Sequence, residues 1–453
     1  MKILMFSMTP LFPDRAMGGA QVQLKKVALH LGSLGHDVTL LCTHPAGGGQ
    51  PFQWAERVNV IPIFRFKQPY PEPYFTPIFN ISNALQTIGG YLAPADRYYS
   101  HDGGMIFPYV YQHIPTVISL RSVLFAETLQ SGYLFQGDSL ILPSEFARMC
   151  YVATAGRFFP GYDERAVAIH NGLDFNKFKA TDTTAIRDYL GLEGDYRYIL
   201  FPHRPEEDKG IFQAIELANK LVNDYGVKDL RFLVPRWMDE DVSPTTQAFY
   251  AHLRGELARY HLESHFIFHP WIAEDMMPAY YSLGALTLAI GSYVETFGNV
   301  PYESLACGTP IILAKVGPAR EILPDDLIDK INYGDIDAAA AIAHRILTNN
   351  ERTSAACMAH LHQYFDQSQM VARYAEIILN AEKRSPMPYH YASYTAETRF
   401  HLAPWCYRTE QGIYHDFKAT YYTESVPEWG FTSADVAQDT LLNWVDMGLV
   451  VAE

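Results

Sequence analysis

Residues 295–310 read Glu-Thr-Phe-Gly-Asn-Val-Pro-Tyr-Glu-Ser-Leu-Ala-Cys-Gly-Thr-Pro, shortly after the apolar run Ala285–Ile290. Pro301 suits the first turn of a helix, Asn299 its N-cap, and Gly308 the position just past its end. The stretch therefore predicts a short helix, Val300–Cys307, between two buried strands. In a parallel α/β sheet such a helix begins at the carboxyl edge of the strands, where ligands bind.

Two carboxylates, Glu295 and Glu303, flank this predicted turn. On one continuous helix they would be separated by ~12 Å of rise. The turn Gly298–Pro301 instead lets Glu295 fold back, so that the two acids can hold two parts of one ligand. The alternative is that Glu303 only complements the helix dipole and Glu295 is an exposed loop residue.

The same α/β alternation extends along most of the chain. Apolar runs rich in Val, Ile, Leu and Phe alternate with amphipathic segments such as Gln21–Leu34, a pattern typical of parallel sheets buried on both faces. The predicted strands are Ile3–Met8, Val38–Thr43, Val58–Phe64, Thr116–Leu120, Ser139–Leu142, Val167–His170, Tyr198–Phe201, Arg231–Val234, Phe266–Phe268, Ala285–Ile290 and Pro310–Leu313.

A polar, glycine-containing break near residues 172–196 separates two groups of strands. We therefore predict two Rossmann-like domains facing each other across a cleft, followed by a C-terminal extension. The predicted domains are residues 1–180 and 181–384, with 385–453 as an extension on or near the first domain. In the extension, Ser433–Met447 is a predicted helix and Tyr421–Tyr422 a predicted strand.

Composition excludes several classes of protein. The 453 residues carry 35 Lys and Arg against 50 Asp and Glu, a net charge of −15, which argues against nucleic-acid binding. No apolar run approaches the ~20 residues that span a bilayer. Five scattered cysteines without a CxxC pair favour a reducing compartment, so we expect a cytoplasmic protein.

With these residues in place, the sequence resembles the retaining glycosyltransferases of family 4, which have the GT-B fold. That family carries E-x-F-G-x-x-x-x-E followed by A-x-G-T-P, and residues 295–310 match both motifs. The resemblance implies that Glu295 contacts the donor sugar and that Glu303 binds the ribose hydroxyls of the nucleotide. It also implies that backbone amides around Phe297, Gly298 and Asn299 hold sugar hydroxyls.

A second match lies at Arg204 and Lys209, which follow the predicted strand Tyr198–Phe201 with the family's spacing. A guanidinium and an ammonium can together neutralise the diphosphate that leaves during sugar transfer. The alternative is that both cations pair with the neighbouring acids at residues 206–208. We take Arg204, Lys209 and Glu295 as the catalytic candidates.

Weaker matches point the same way. Gly18 and Gly19, after the first strand, resemble the family's glycine-rich loop near the donor phosphates. Trp271 and Ile272 follow the strand that corresponds to the one at whose end the family holds the nucleobase. Residues 170–174, His-Asn-Gly-Leu-Asp, resemble the family's motif at the domain junction.

The sequence departs from the family at Arg121, where a histidine usually contacts the donor sugar. Arginine can also donate to a sugar oxygen, but it is longer and permanently charged. His101, just after the strand candidate Arg97–Ser100, is an alternative source of an imidazole.

The resemblance implies a retaining transfer of sugar from a nucleotide-diphosphate-sugar to an acceptor hydroxyl, without a metal or other cofactor. It also implies that residues 1–180 are the acceptor-side domain and residues 181–384 the donor domain. Asp335 and Asp337 form a D-x-D, which we interpret as a helix N-cap and a first-turn acid. The pair His261 and His265 lacks the HExxH order, and we interpret it as a surface feature. Competing readings are a nucleotide-sugar epimerase or phosphorylase on the same fold, or a non-catalytic nucleotide-sugar-binding protein.

The acceptor is predicted only as a sugar, glycan or glycolipid. Aromatic residues and prolines at 62–79 suggest a loop that could stack on a sugar or touch lipid, with Arg65 and Lys67 nearby. Without a polybasic patch, membrane association would be weak and peripheral.

Overall fold

The computed structural model describes residues 1–15, 18–44, 49–64, 77–103, 107–236, 244–391 and 393–453. It divides into two compact units. The first comprises Met1–Gly172, Gln367–Tyr407 and Thr423–Glu453, and the second comprises Leu173–Asp366 and Arg408–Tyr422. Arg65, Lys67 and most of the predicted aromatic loop lie outside the described residues.

The first unit is built on an eight-stranded sheet in the order β3-β4-β2-β1-β5-β6-β7-β8, parallel except for β3. Its strands are β1 (Lys2–Pro10), β2 (Asp37–Thr43), β3 (Phe52–Ala55), β4 (Val58–Phe64), β5 (Arg97–His101), β6 (Thr116–Ser119), β7 (Ser139–Leu142) and β8 (Ala166–Ala168). The helices in its first segment, Met1–Gly172, are α1 (Gly19–Ser33), α2 (Ile78–Leu92), α3 (Pro108–Tyr111), α4 (Ala126–Tyr133) and α5 (Glu145–Thr154).

The second unit holds a six-stranded, fully parallel sheet in the order β11-β10-β9-β12-β13-β14. Its strands are β9 (Arg197–Leu200), β10 (Leu230–Pro235), β11 (Phe266–His269), β12 (Gly284–Ala289), β13 (Ile311–Ala314) and β14 (Asp329–Ile331). Its helices are α6 (Thr184–Leu190), α7 (Ile211–Asn219, continued by a π-helical turn), α8 (Pro244–Arg259), α9 (Met277–Leu283), α10 (Val300–Ala306), α11 (Ile336–Asn349) and α12 (Ala355–Tyr364).

These sheets confirm the predicted Rossmann-like folds and every strand predicted in them, with ends that differ by at most two residues. The sequence missed β3 and β14, which are short and carry charged or polar residues in place of a continuous apolar run. Two buried hydrophobic clusters contain side chains of the second unit, and a third contains those of the first.

Helix α13 (Gln367–Leu379) lies in the first unit although it follows the second along the chain. Its buried face, with Met370, Tyr374 and Ile378, packs in the hydrophobic cluster that contains Leu24 of α1. The sequence placed residues 367–384 in the second domain, because an amphipathic helix does not reveal which core its apolar face covers.

The C-terminal segment contributes to both units. In the first unit, β15 (Arg399–Leu402) pairs antiparallel with β19 (Phe431–Thr432) and β20 (Val450–Ala452). A second small sheet contains β16 (Cys406–Thr409), β17 (Gly412–His415) and β18 (Thr420–Tyr422). From Arg408 to Tyr422 the chain belongs to the second unit. The extension was predicted to lie on or near the first domain; residues 423–453 do so, whereas residues 408–422 belong to the second unit.

Tyr421–Tyr422 are in a strand, as predicted. The last helix, α14, spans Gln438–Met447 and is shorter than the predicted Ser433–Met447. Residues Ser433–Asp435 form a separate 3-10 turn closed by a capping box between Thr432 and Asp435. Within the described residues, no helix is both long and apolar enough to cross a membrane.

Candidate active site

The centre of the second sheet is a topological switch point. From β9 the chain adds β10 and β11 on one side, then returns to add β12, β13 and β14 on the other. Helices on opposite faces therefore diverge at the carboxyl ends of β9 and β12, which leaves a crevice there. The loops that leave these two strands contain Lys209 and Glu295.

Two glycines allow these loops to approach closely. Gly210 has a φ of +91°, and a Cβ on it would lie 2.8 Å from the backbone nitrogen of Gly291. A Cβ on Gly291 would lie 2.3 Å from the Asp208 carbonyl oxygen. The Tyr293 backbone N–H donates to that same oxygen over 2.9 Å. The backbone itself thus fixes the loops side by side.

This approach brings together two of the three catalytic candidates. The Lys209 ammonium lies 2.7 Å from a Glu295 carboxylate oxygen and 3.4 Å above the centre of the Tyr293 ring. The Lys209 side chain is 14% exposed and that of Glu295 45% exposed. The cation is therefore held from two sides at a site that solvent still reaches.

Lys209 and Glu295 line a cavity of about 140 Å³. The cavity is also lined by three other predicted donor-binding residues, Phe297, Gly298 and Asn299. Further lining residues come from the loops after β9, β12 and β13, including His203, Asp208, Gly291, Tyr293, Val316, Pro318 and Ala319.

The Phe297–Glu303 segment adopts the predicted turn and helix. Gly298 has a φ of +76°, in the left-handed region that glycine adopts without strain, and it lies against the Glu295 side chain. The buried Phe297 ring stacks on Tyr302, with 4.5 Å between centroids, which anchors the turn to α10. On α10, Glu303 accepts a hydrogen bond from the Tyr281 hydroxyl over 3.0 Å.

His203 is a neutral group in the cavity wall. Burial of its ring, together with the nearby Lys209 charge, lowers its pKa to about 3. The ring packs edge-to-face against Phe201 of the strand end, with centroids 5.4 Å apart. At neutral pH this imidazole adds polarity to the cavity without adding charge.

Four predicted residues of this unit lie outside the described lining of the cavity. Arg204 is 55% exposed and lies 3.4 Å from Glu206, which is the pairing offered as an alternative from the sequence. Trp271 is exposed, Ile272 is buried in the hydrophobic core, and Glu303 lies in the first turn of α10.

The first unit has its own switch point, between β1 and β5. There a cavity of about 260 Å³ is lined by residues that include Ser7, Gln21, His101, Asp102 and Glu127. Gly18 is the N-cap of α1 and Gly19 its first residue, so the predicted glycine loop lies at the same sheet edge.

His101 is buried, and both of its ring nitrogens are engaged within this unit. Nε2 lies 2.8 Å from the Ala20 carbonyl oxygen, so Nε2 carries the hydrogen and Nδ1 accepts from the Tyr99 hydroxyl over 2.7 Å. Burial, with a contribution from the Arg121 charge, lowers the His101 pKa to about 3.

The Arg121 guanidinium bonds to Asn171, the asparagine of the predicted junction motif, and lies 3.3 Å from the Tyr374 hydroxyl. Next to Asn171, a Cβ on Gly172 would lie 2.4 Å from the Gln367 Cα, so that motif's glycine permits close packing of α13. In this structure the Arg121 guanidinium thus bonds to two residues of the first unit.

The two patterns weighed as metal ligands have other roles. Asp335 caps α11 by accepting from the Ala338 N–H, as predicted, and Asp337 pairs with Lys220 over 2.6 Å. The interpretation of His265 as a surface residue is wrong, because it is buried and bonds to the Leu230 carbonyl. Among the described residues no cluster of three or more His, Cys, Asp or Glu side chains could hold a metal ion.

His203, Gly291 and Tyr293 were missed from the sequence. Gly291 follows a predicted strand and His203 precedes Arg204 by one residue, so position relative to the strand ends was the signal available for both. The sequence contains no signal for Tyr293, because the contact of its ring with Lys209 depends on the packing of two loops far apart in sequence.

Comparison with known proteins relates this site to a family. Residues 182–357 match the family described as "Glycosyl transferases group 1". An uncharacterised glycosyltransferase of Methanocaldococcus jannaschii is 24% identical over 338 residues, which cover 70% of this chain and 81% of that protein. A D-inositol 3-phosphate glycosyltransferase of Xylanimonas cellulosilytica is 26% identical over 232 residues, covering 49% of this chain and 53% of the relative.

Among solved structures, Anabaena HepE in complex with UDP and glucose is similar, with a TM-score of 0.63 and 20% identity. The match covers 84% of this chain and 99% of HepE. Together with the two Rossmann-like units, the similarity to solved structures establishes the GT-B fold. Residues 182–357, in the second unit, are similar to the group 1 glycosyl transferases, enzymes that transfer sugars.

Proposed function

We propose that the chain is a retaining glycosyltransferase, as in family 4, that uses a nucleotide-diphosphate-sugar as donor. The observation that carries this proposal is the Lys209–Glu295 pair, 2.7 Å apart on the cavity at the switch point of the second sheet. A cation next to an acid in one half-open crevice suits a ligand that is anionic at one end and rich in hydroxyls at the other.

In this proposal Lys209 neutralises the leaving diphosphate. Glu295 accepts hydrogen bonds from the donor sugar, and the backbone amides at Phe297–Asn299 donate to it. Glu303, oriented by Tyr281, accepts from the ribose hydroxyls. Arg204 would join the diphosphate by exchanging its contact with Glu206 for one with the ligand.

Retention would follow from attack on the same face as the leaving group. The acceptor oxygen forms a bond to the anomeric carbon while the bond from that carbon to the diphosphate oxygen breaks. The acceptor's proton passes to the leaving diphosphate. The protein's part is to position both partners and to stabilise the charge that develops on the diphosphate.

UDP-sugars are the first donors to test, because HepE has been crystallised with UDP and glucose. A thermal-shift panel of UDP-, GDP- and ADP-sugars identifies the donor, since a ligand at 100 times its Kd stabilises the folded chain by ~2.7 kcal/mol. The acceptor we propose is a hydroxyl of a sugar, glycan or glycolipid, and candidate acceptors are then screened with that donor.

Product analysis distinguishes the rival functions. The proposal requires free nucleoside diphosphate and a glycosylated acceptor with unchanged anomeric configuration by NMR, both formed in the presence of a chelator. An isomerised donor would identify an epimerase, and dependence on inorganic phosphate a phosphorylase. Binding without turnover of any donor–acceptor pair would indicate a binding protein.

A further inference from the structure

One wall of the cavity is formed by the turn that follows β13. Val316, Pro318 and Ala319 of this turn line the cavity. Gly317, with a φ of +54°, begins the 3-10 turn Gly317–Arg320. The conformation of these four residues therefore sets the shape of the cavity on this side.

The C-terminal hairpin, residues 408–422, contacts this turn through an ion pair. Asp416 is fully buried, and its carboxylate lies 2.8 Å from the Arg320 guanidinium, which is 18% exposed. The Asp416 carboxylate thus binds the last residue of the turn.

The hairpin has its own anchor on the second unit. The Tyr421 hydroxyl donates to the Tyr333 carbonyl over 2.7 Å, just after β14. The Tyr414 ring packs against Tyr333, with centroids 5.4 Å apart, and the Gln213 side chain of α7 donates to the Tyr333 hydroxyl. Asp416 is therefore presented to the turn by a hairpin fixed at a separate point.

We propose that the hairpin 408–422 is a positioning element of the donor cavity, in which Asp416 fixes the Gly317–Arg320 turn through Arg320. The inference rests on the proposed function for the identity of the ligand. Its physical basis is that arginine does not lose its proton, so a guanidinium withdrawn from water needs an acid partner. Without that partner the turn would rearrange to expose Arg320, and the cavity wall would move with it.

The test is Asp416→Asn in the full-length chain. We expect the KM for the donor to rise about tenfold, while the KM for the acceptor stays within a factor of two. A merely structural role would lower the amount of active enzyme and leave the donor KM unchanged. Arg320→Gln should behave alike, and the double variant should be no worse than either single variant, because the two groups act as a pair.

The matched control is Asp229→Asn, which breaks the ion pair with Arg197. Arg197 begins β9 and Asp229 precedes β10, so this pair lies at the opposite edge of the same sheet. The kinetic constants of Asp229→Asn should equal those of the wild type. Tyr421→Phe loosens the hairpin without creating an unpaired charge, and it should raise the donor KM two- to fivefold if Asp416→Asn fails to fold.

Amide hydrogen exchange in the ligand-free chain separates this inference from the proposed function. Faster exchange across residues 315–321 in Asp416→Asn or Tyr421→Phe, but not in Asp229→Asn, supports the positioning role even where no nucleotide sugar is turned over. Unchanged exchange across those residues, or an unchanged donor KM in an active variant, overturns it.

Discussion

At the scale of single residues, Lys209 carries the largest functional expectation. Lys209→Ala removes the ammonium that faces Glu295 and the proposed diphosphate, so turnover should fall 10²- to 10³-fold, a loss of ~3–4 kcal/mol of transition-state stabilisation. Steady-state rates with the identified donor measure this. The control Lys220→Ala removes a cation paired with Asp337 outside the cavity, and its rate should not change. Wild-type turnover in Lys209→Ala would exclude the proposed role of this lysine.

A second residue-scale prediction concerns His101 and acid. Its pKa is about 3 in the folded chain against about 6.5 unfolded, so below pH 6.5 the unfolded chain binds a proton that the folded chain does not. The stability contributed by the neutral ring is thus complete above pH 6.5 and is lost as pH falls toward 3, by about 1.4 kcal/mol per pH unit.

The measurement is the free energy of unfolding by denaturant between pH 7 and pH 5. His101→Gln should reduce its dependence on pH by that slope, whereas the exposed His113→Gln should leave it unchanged. His203 and His269, whose pKa values are lowered to about 3 and about 4, will maintain part of the dependence. An identical slope in His101→Gln and the wild type would contradict the assignment of a neutral His101.

At the scale of elements, the site depends on the contact between two loops. Gly291→Ala would place a Cβ 2.3 Å from the Asp208 carbonyl oxygen and 2.4 Å from the Lys209 carbonyl carbon, both backbone atoms that cannot move aside alone. We expect a loss of ~1–3 kcal/mol in unfolding free energy, together with lower turnover as Lys209 shifts.

The control for this substitution is Gly255→Ala in the interior of α8, where a Cβ would have no neighbour within 4 Å. There alanine favours the helix by roughly 0.5–1 kcal/mol. Chemical denaturation of the two variants therefore gives changes of opposite sign. Equal stabilities would mean that the loops are not in contact at Gly291.

At the scale of the whole molecule, the two units should respond differently to ligand. A nucleotide sugar at 100 times its Kd should slow amide exchange in residues 201–210 and 290–303, which surround the cavity of the second unit. The sheet of β15, β19 and β20 belongs to the first unit, and the nucleotide is not expected to contact it. Its amide exchange should therefore be the same with and without ligand. Hydrogen exchange with mass spectrometry tests this, and protection confined to the first unit would contradict a donor site on the second sheet.

The sequence by itself determined the parallel α/β sheets, the short helix after Gly298, and the lysine and acid at the carboxyl ends of two strands. Each of these features follows from a local pattern of apolar runs, turn residues and spacing. Residues that are close in sequence therefore specify it without contacts from the rest of the chain.

Only the tertiary structure decided which of these residues meet. It joined Lys209 to Glu295 and Tyr293, turned Arg121 toward Asn171, and divided the C-terminal segment between the two units. Such contacts depend on the order of strands in a sheet and on how closely backbones approach at Gly291 and Gly172. Residues far apart in sequence are brought together by the packing of the whole core, which no local pattern encodes.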